Sequence, residues 1–219
     1  MTFPLASRRT FLRSAIVATS APLALLAPAA RAQTAAWPGR PVRIVVPYAP
    51  GGLSDAVARL LAERLALGQP VIVDNKPGGG GVIGMGVVAK APADGCTLAF
   101  SAISPLTLSP HTHRVPYDAL TDFAPVARVM VSPVYLLATP AFTGKTFADA
   151  IAQARAQPDQ VTFATSGVGS LGHLMLEQIS RKAQVRFNHV PYKGGGQIAT
   201  DAAGGQFQLL SGQGHPRRT

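Results

Sequence analysis

Cysteine is almost missing from this 219-residue chain: Cys96 stands alone, so no internal disulfide can form. Beside Leu98 and Phe100 it reads as a small buried apolar residue. Acidic residues are also scarce, with 10 Asp and Glu against 20 Lys and Arg. No spacing of His, Cys and carboxylates suits a metal, and His111 with His113 is too little to hold one. The Gly78–Gly81 run lacks the lysine and hydroxyl of a phosphate-cradling loop, so it reads as a site of close helix packing. The basic residues are scattered and no aromatic-basic face recurs, which excludes a nucleic-acid footprint. No cofactor is implied.

A long uninterrupted apolar run is missing too. The stretch Ala15–Ala30 is broken by Pro22 and Pro28 and is alanine-rich, unlike a span of about 20 apolar residues. It follows Ser7-Arg8-Arg9-Thr10-Phe11-Leu12-Arg13, a twin-arginine pattern, and precedes the small residues of Ala30-Arg31-Ala32. Residues 1–32 therefore read as an export signal, with Gln33 as the mature amino terminus and the periplasm as destination. No stable membrane insertion of the mature chain is expected. Much of the formal +10 charge belongs to that signal: its four arginines removed, 16 basic residues face 10 acidic ones. The remaining mild positive bias suits steering of an anionic small ligand.

Glycine is plentiful, and its placement carries the most information. Val45-Val46-Pro47-Tyr48-Ala49-Pro50-Gly51-Gly52-Leu53-Ser54-Asp55 takes an apolar strand through a tight turn into an amphipathic helix. Such a turn aims unpaired N–H groups of a helix N-terminus at one point, where an anion can sit. A second turn, Ser166-Gly167-Val168-Gly169-Ser170, joins the strand Val161–Ala164 to another helical pattern. Two such turns on separate strand–helix units suggest a ligand held between two lobes.

Strands alternate with helices throughout, which predicts an α/β architecture with largely parallel pairing. The first helix is expected to bury Val57, Leu60, Leu61 and Leu65 and to end at Gly68 as a glycine cap. Strands are expected at Val42–Val46, Pro70–Val73, Thr97–Phe100 and Phe187–Val190, and helices over Val82–Lys90 and up to Ala203. Pro125–Thr139 reads as an extended crossing, and Thr146 with Asp149 has the spacing of a capping box. Phe207–Leu210 is the last apolar piece.

In order and spacing these segments resemble the extracytoplasmic solute receptors of the tripartite tricarboxylate transporter system, the Bug receptors. The matching pieces are WPGRPVRIVVPYAPGGLSD (37–55), LGQPVIVDNKPGGGGVIG (67–84), ADGCTLAF (93–100), VPYDALTDFAPVA (115–127), VTFATSGVGSLGHL (161–174) and HVPYKGGGQIATDAAGGQ (189–206). The resemblance implies a periplasmic-binding-protein-like fold with two α/β lobes closing on a small carboxylate ligand, which is then delivered to membrane permease subunits. Lobes are expected over residues 33–124 and 125–210, and residues 211–219, which carry no packing pattern, as an irregular tail. Members continue well past this length, so the C-terminal part of the first lobe is expected to be missing.

Recognition through the two glycine turns, partly through water, maps onto Tyr48, Ala49, Pro50, Gly51, Gly52 and Asp55, and onto Thr165, Ser166, Gly169, Ser170 and His173. Ser101 and Tyr192 are added as neighbours, with Lys193 a weaker candidate. Ser54 reads as an N-cap. Asp55 divides evenly between a ligand role and a helix-dipole role, and Ser170 serves equally as a cap. Two other readings stand beside the receptor: a non-binding remnant of one, and a hydrolase using Ser170 with His173. The latter is disfavoured because no GxSxG elbow precedes the pair.

Overall fold

A computed structural model describes residues 37–213, so the expected export signal at 1–32, residues 33–36 and residues 214–219 lie outside the described residues. Strand β1 (Val42–Val46) lies between β2 (Val71–Asn75) and β3 (Thr97–Ala99), and both pairings are parallel. Helix α1 (Leu53–Arg64) packs on the face carrying Ile44 and Val46. Helix α2 (Val82–Ala89) follows a short 3-10 turn at Gly79–Gly81. Its Val82 and Met85 are buried with Tyr117, whose hydroxyl donates to the Pro105 carbonyl.

Alternation explains the β1 core. Ile44 and Val46 face α1, while Val45 faces the opposite side and is equally buried. The face of α1 differs from the expected one. Ala58 is buried and Ala62 packs with it, whereas Leu60 is 51% exposed. A small residue at each contact lets the helix lie close to the strand, and Ser54 and Asp55 are drawn inward on the same face. The helix ends at Leu65, so Gly68, although left-handed, is not its cap. The proline-rich stretch after β3 holds two short helices, α3 (Ser104–Thr107) and α4 (Ser109–Thr112).

The second sheet has the order β4-β7-β5-β6. Its strands are β4 (Val134–Ala138), β5 (Thr162–Thr165), β6 (Asn188–Pro191) and β7 (Leu209–Gln213). β5 pairs in parallel with β6 and β7, and β4 pairs antiparallel with β7. Ser211–Gln213, expected to be irregular, instead complete β7 against Val134–Leu136. Helices α5 (Phe147–Ala156) and α6 (Leu171–Ala183) bury Phe163 and Leu209 on one face. Helix α7 (Gly195–Ala203) covers Ala164 and Leu210 with Ile198 on the other. The expected capping box is present: Thr146 Oγ1 accepts from the Asp149 N–H, and the Asp149 carboxylate accepts from the Thr146 N–H at 2.9 Å.

Candidate functional site

The first glycine turn is shaped by Asp55. Gly51 sits at φ +82, a conformation that suits glycine, and its N–H donates to the Asp55 carboxylate at 2.9 Å. Arg59 and Asn75 also donate to that carboxylate, at 3.1 and 2.9 Å. Asn75 further donates to the Tyr48 carbonyl at 3.1 Å and accepts from Arg59 at 3.0 Å. Burial alone would push the Asp55 carboxyl up, but these bonds and the Arg59 charge hold it below the usual range. Asp55 thus spends its charge on the turn rather than presenting it to a guest.

The N-cap of α1 is Gly52, not Ser54, and no side chain caps it. Helix geometry leaves the N–H groups of Leu53 and Ser54 without intrahelical acceptors. The Tyr48 hydroxyl is turned away from this point, toward Gly81, Ser101 and Ala102, and burial pushes it up to about 12. That contact is where Ser101 is placed.

The second turn is also heavily bonded. Ser170 caps α6, its hydroxyl accepting from the His173 N–H at 3.2 Å, while the Gly169 N–H donates to His173 Nδ1 at 3.3 Å. Thr165 Oγ1 is 2.7 Å from His189 Nε2, and the His173 and His189 rings stack with centroids 4.4 Å apart. The Tyr192 N–H donates to the Thr165 carbonyl, and its hydroxyl donates to Asp201 at 2.7 Å. Burial and that carboxylate push the Tyr192 phenol up to about 12.

The two sheets meet largely through backbone groups. The Ala49 N–H donates to the Lys193 carbonyl at 3.0 Å, and the Leu171 N–H donates to Ser104 Oγ at 3.1 Å. A Cβ on Gly196 would lie 2.2 Å from the Pro50 carbonyl oxygen, and one on Gly80 would lie 2.7 Å from that of Val168. So the first turn seats on the Gly194–Gly196 turn, and the second on Gly78–Gly81. The close helix packing expected of Gly78–Gly81 is present at Gly81, where a Cβ would lie 3.0 Å from Pro105 in α3, while Gly80 approaches the opposite sheet's turn.

Between these seats lies a cavity of about 550 Å³. Of the residues chosen from sequence, Tyr48, Ala49, Gly51, Gly52, Asp55 and Ser166 line it. Pro50, Ser101, Thr165, Gly169, Ser170, His173 and Tyr192 lie behind the wall, supporting the turns through the contacts just described. The two bends do approach one cavity, but the second contributes Ser166 and the start of α6 rather than Gly169, which faces His113 and Ser109.

Residues missed from sequence include Ser54, Ala102, Ser104, Gly195, Ile198 and Leu210. The Lys193-Gly194-Gly195-Gly196 run was the available signal for Gly195, although Tyr192 was the residue chosen there. Three helix N-termini, those of α1, α6 and α7, border the cavity, which favours negative charge. The far wall is apolar, with Val134, Leu137, Ile198 and Leu210. Ser170 and His173 do not form a nucleophile–base pair: the hydroxyl caps the helix, and Nδ1 is held by Gly169.

Residues 57–211 match the family model described as the tripartite tricarboxylate transporter family receptor. The chain belongs to this family. It is 40% identical over 176 residues to protein BugT of Bordetella pertussis, a match covering 77% of this chain and 53% of BugT. A Rhodopseudomonas palustris protein solved with adipate is 35% identical, with a TM-score of 0.74 over 81% of this chain and 60% of that one. MatC from the same organism, solved with bound malate, is 32% identical, with a TM-score of 0.74 over 81% of this chain and 61% of its own. The chain thus spans about half the length of the curated relative it matches. The family consists of periplasmic solute receptors, not enzymes. The two-lobed α/β fold around a cleft is that of periplasmic binding proteins. Among the described residues no helix is long and apolar enough to cross a membrane.

Proposed function

We propose that this receptor captures a small carboxylate between its two sheets and presents it to membrane permease subunits. The observation that carries the reading is the cavity shared by the first glycine turn, Ser166 and the N-termini of α6 and α7. A carboxylate there meets helix-end N–H groups, and the apolar wall receives the hydrocarbon part of a small organic acid. Binding favours the closed arrangement because the guest contacts both sheets at once. Solved relatives with adipate and malate support this class of ligand. In this reading residues 1–32 direct twin-arginine export, residues 33–124 and 125–210 form the two lobes, and Tyr48, Ala49, Gly51, Gly52 and Ser166 border the guest. Pro50, Asp55, Ser101, Thr165, Gly169, Ser170, His173 and Tyr192 hold the turns that carry those residues.

Isothermal titration of the purified chain with acetate, succinate, malate, adipate and citrate tests it. Saturable heat with at least one acid, lost on filling the cavity by Gly52→Phe, is the expected result. No heat with any of the five would overturn the reading and favour a chain that does not bind.

A further inference from the structure

We infer that His173 is a proton-sensing residue: acidification takes away the acceptor that fixes the second glycine turn, and the receptor loosens its hold on its guest. The link to affinity rests on the receptor reading above; the response of the turn does not. The Gly169 N–H donates to His173 Nδ1 at 3.3 Å, and a ring nitrogen that accepts from a backbone N–H carries no proton. The neutral ring therefore keeps its proton on Nε2, which lies 3.6 Å from the Glu177 carboxylate. A second proton has to enter at Nδ1, where it meets the Gly169 N–H donor against donor.

The surroundings give the direction. His189, from β6, stacks on the His173 ring with centroids 4.4 Å apart. His113, just after α4, lies across from Gly169, where a Cβ would be 3.3 Å from its Cε1. Strands β5 and β7, on which α6 packs, carry no ionisable side chain. Against these imidazoles stands Glu177, whose side chain is 60% exposed, so water weakens the relief it brings. Acid thus gathers like charge around one turn. That turn also has a second acceptor close by. Ser109 is fully buried, its hydroxyl has no hydrogen-bond partner among the described residues, and a Cβ on Gly169 would lie 3.7 Å from its Oγ. A Gly169 N–H released by His173 finds that hydroxyl, so the turn has two arrangements. Ser166, which this turn contributes to the cavity, sits between Thr165 and Gly167. Thr165 Oγ1 is 2.7 Å from His189 Nε2 and accepts from the Gly167 N–H at 3.3 Å. A shift of the turn is therefore a shift of the cavity wall.

The test titrates the full chain with the best-bound of the same five acids at about pH 7.5 and about pH 5.5, either side of the ordinary histidine value. Beside it stands His173→Asn, whose Oδ1 replaces Nδ1 as an acceptor and takes up no proton in this range. Loss of one hydrogen bond predicts that wild-type affinity falls about threefold to tenfold further than that of His173→Asn over the interval. The acid's own ionisation is common to both chains and cancels in the comparison. Equal pH dependence in the two chains would overturn the proposal while leaving the receptor reading intact. Without ligand, the Gly169 amide resonance should shift with pH in the wild-type chain and much less in His173→Asn; an equal shift in both rules the sensor out. If no acid binds at either pH, the receptor reading and the link to affinity fall together, and the amide titration still decides whether the turn responds to His173.

Discussion

Removing the Asp55 carboxylate should loosen the first glycine turn and lower stability measurably. Its side chain is 6% exposed and collects bonds from Gly51, Arg59 and Asn75. In Asp55→Ala the Gly51 N–H and the Asn75 amide lose a charged acceptor inside the protein. Two such bonds, partly recovered by water and relaxation, place the cost at about 2–4 kcal/mol. Arg59 is half-exposed and regains water, so it adds nothing to that figure. Urea unfolding followed by circular dichroism reads the change as a lower midpoint at unchanged slope. The acid limb gives an independent check. Because Asp55 titrates below its ordinary value when folded, its contribution is complete above about pH 4 and disappears as pH falls through the folded pKa. Asp55→Asn should therefore flatten the stability profile below about pH 4. A cost under about 0.5 kcal/mol, with an unchanged acid limb, would refute the clamp.

Gly196→Ala should prevent the lobes from seating, because its methyl would lie 2.2 Å from the Pro50 carbonyl oxygen; titration should show weakened binding and small-angle scattering a larger radius. Phe163 is completely buried, and Phe163→Ala should cost about 3–5 kcal/mol in urea unfolding. Burial and the neighbouring His173 depress the His189 pKa, despite Glu177, so protonation favours the unfolded chain. Stability should accordingly decline as pH falls below about 6.5, and His189→Gln should reduce that slope in pH-dependent melts.

What could be read from sequence was mainly what is local. The Thr146–Asp149 box depends on residues three apart, and the strand–turn–helix order depends on period and punctuation. Ser54 is not the cap because Gly52 takes that position, packed against the Gly194–Gly196 turn more than a hundred residues away in sequence. Asp55 was undecided for a similar reason: Asn75, which fixes its role, comes from the next strand. Leu60 followed the helical period, but Ala58 won the buried face because it permits closer packing. Gly169 and His173 lay on the right turn, yet the orientation that points Ser166 inward is set by partners on the other sheet.

At the seat between Pro50 and Gly196, main chain rests on main chain with no side chain interposed. Such a joint has no side-chain rotamers to freeze, so holding it carries little side-chain entropy cost. Its fit is also independent of what is enclosed. Substitutions at Val134 or Ile198, on the apolar wall, change the cavity's lining while this joint keeps its shape.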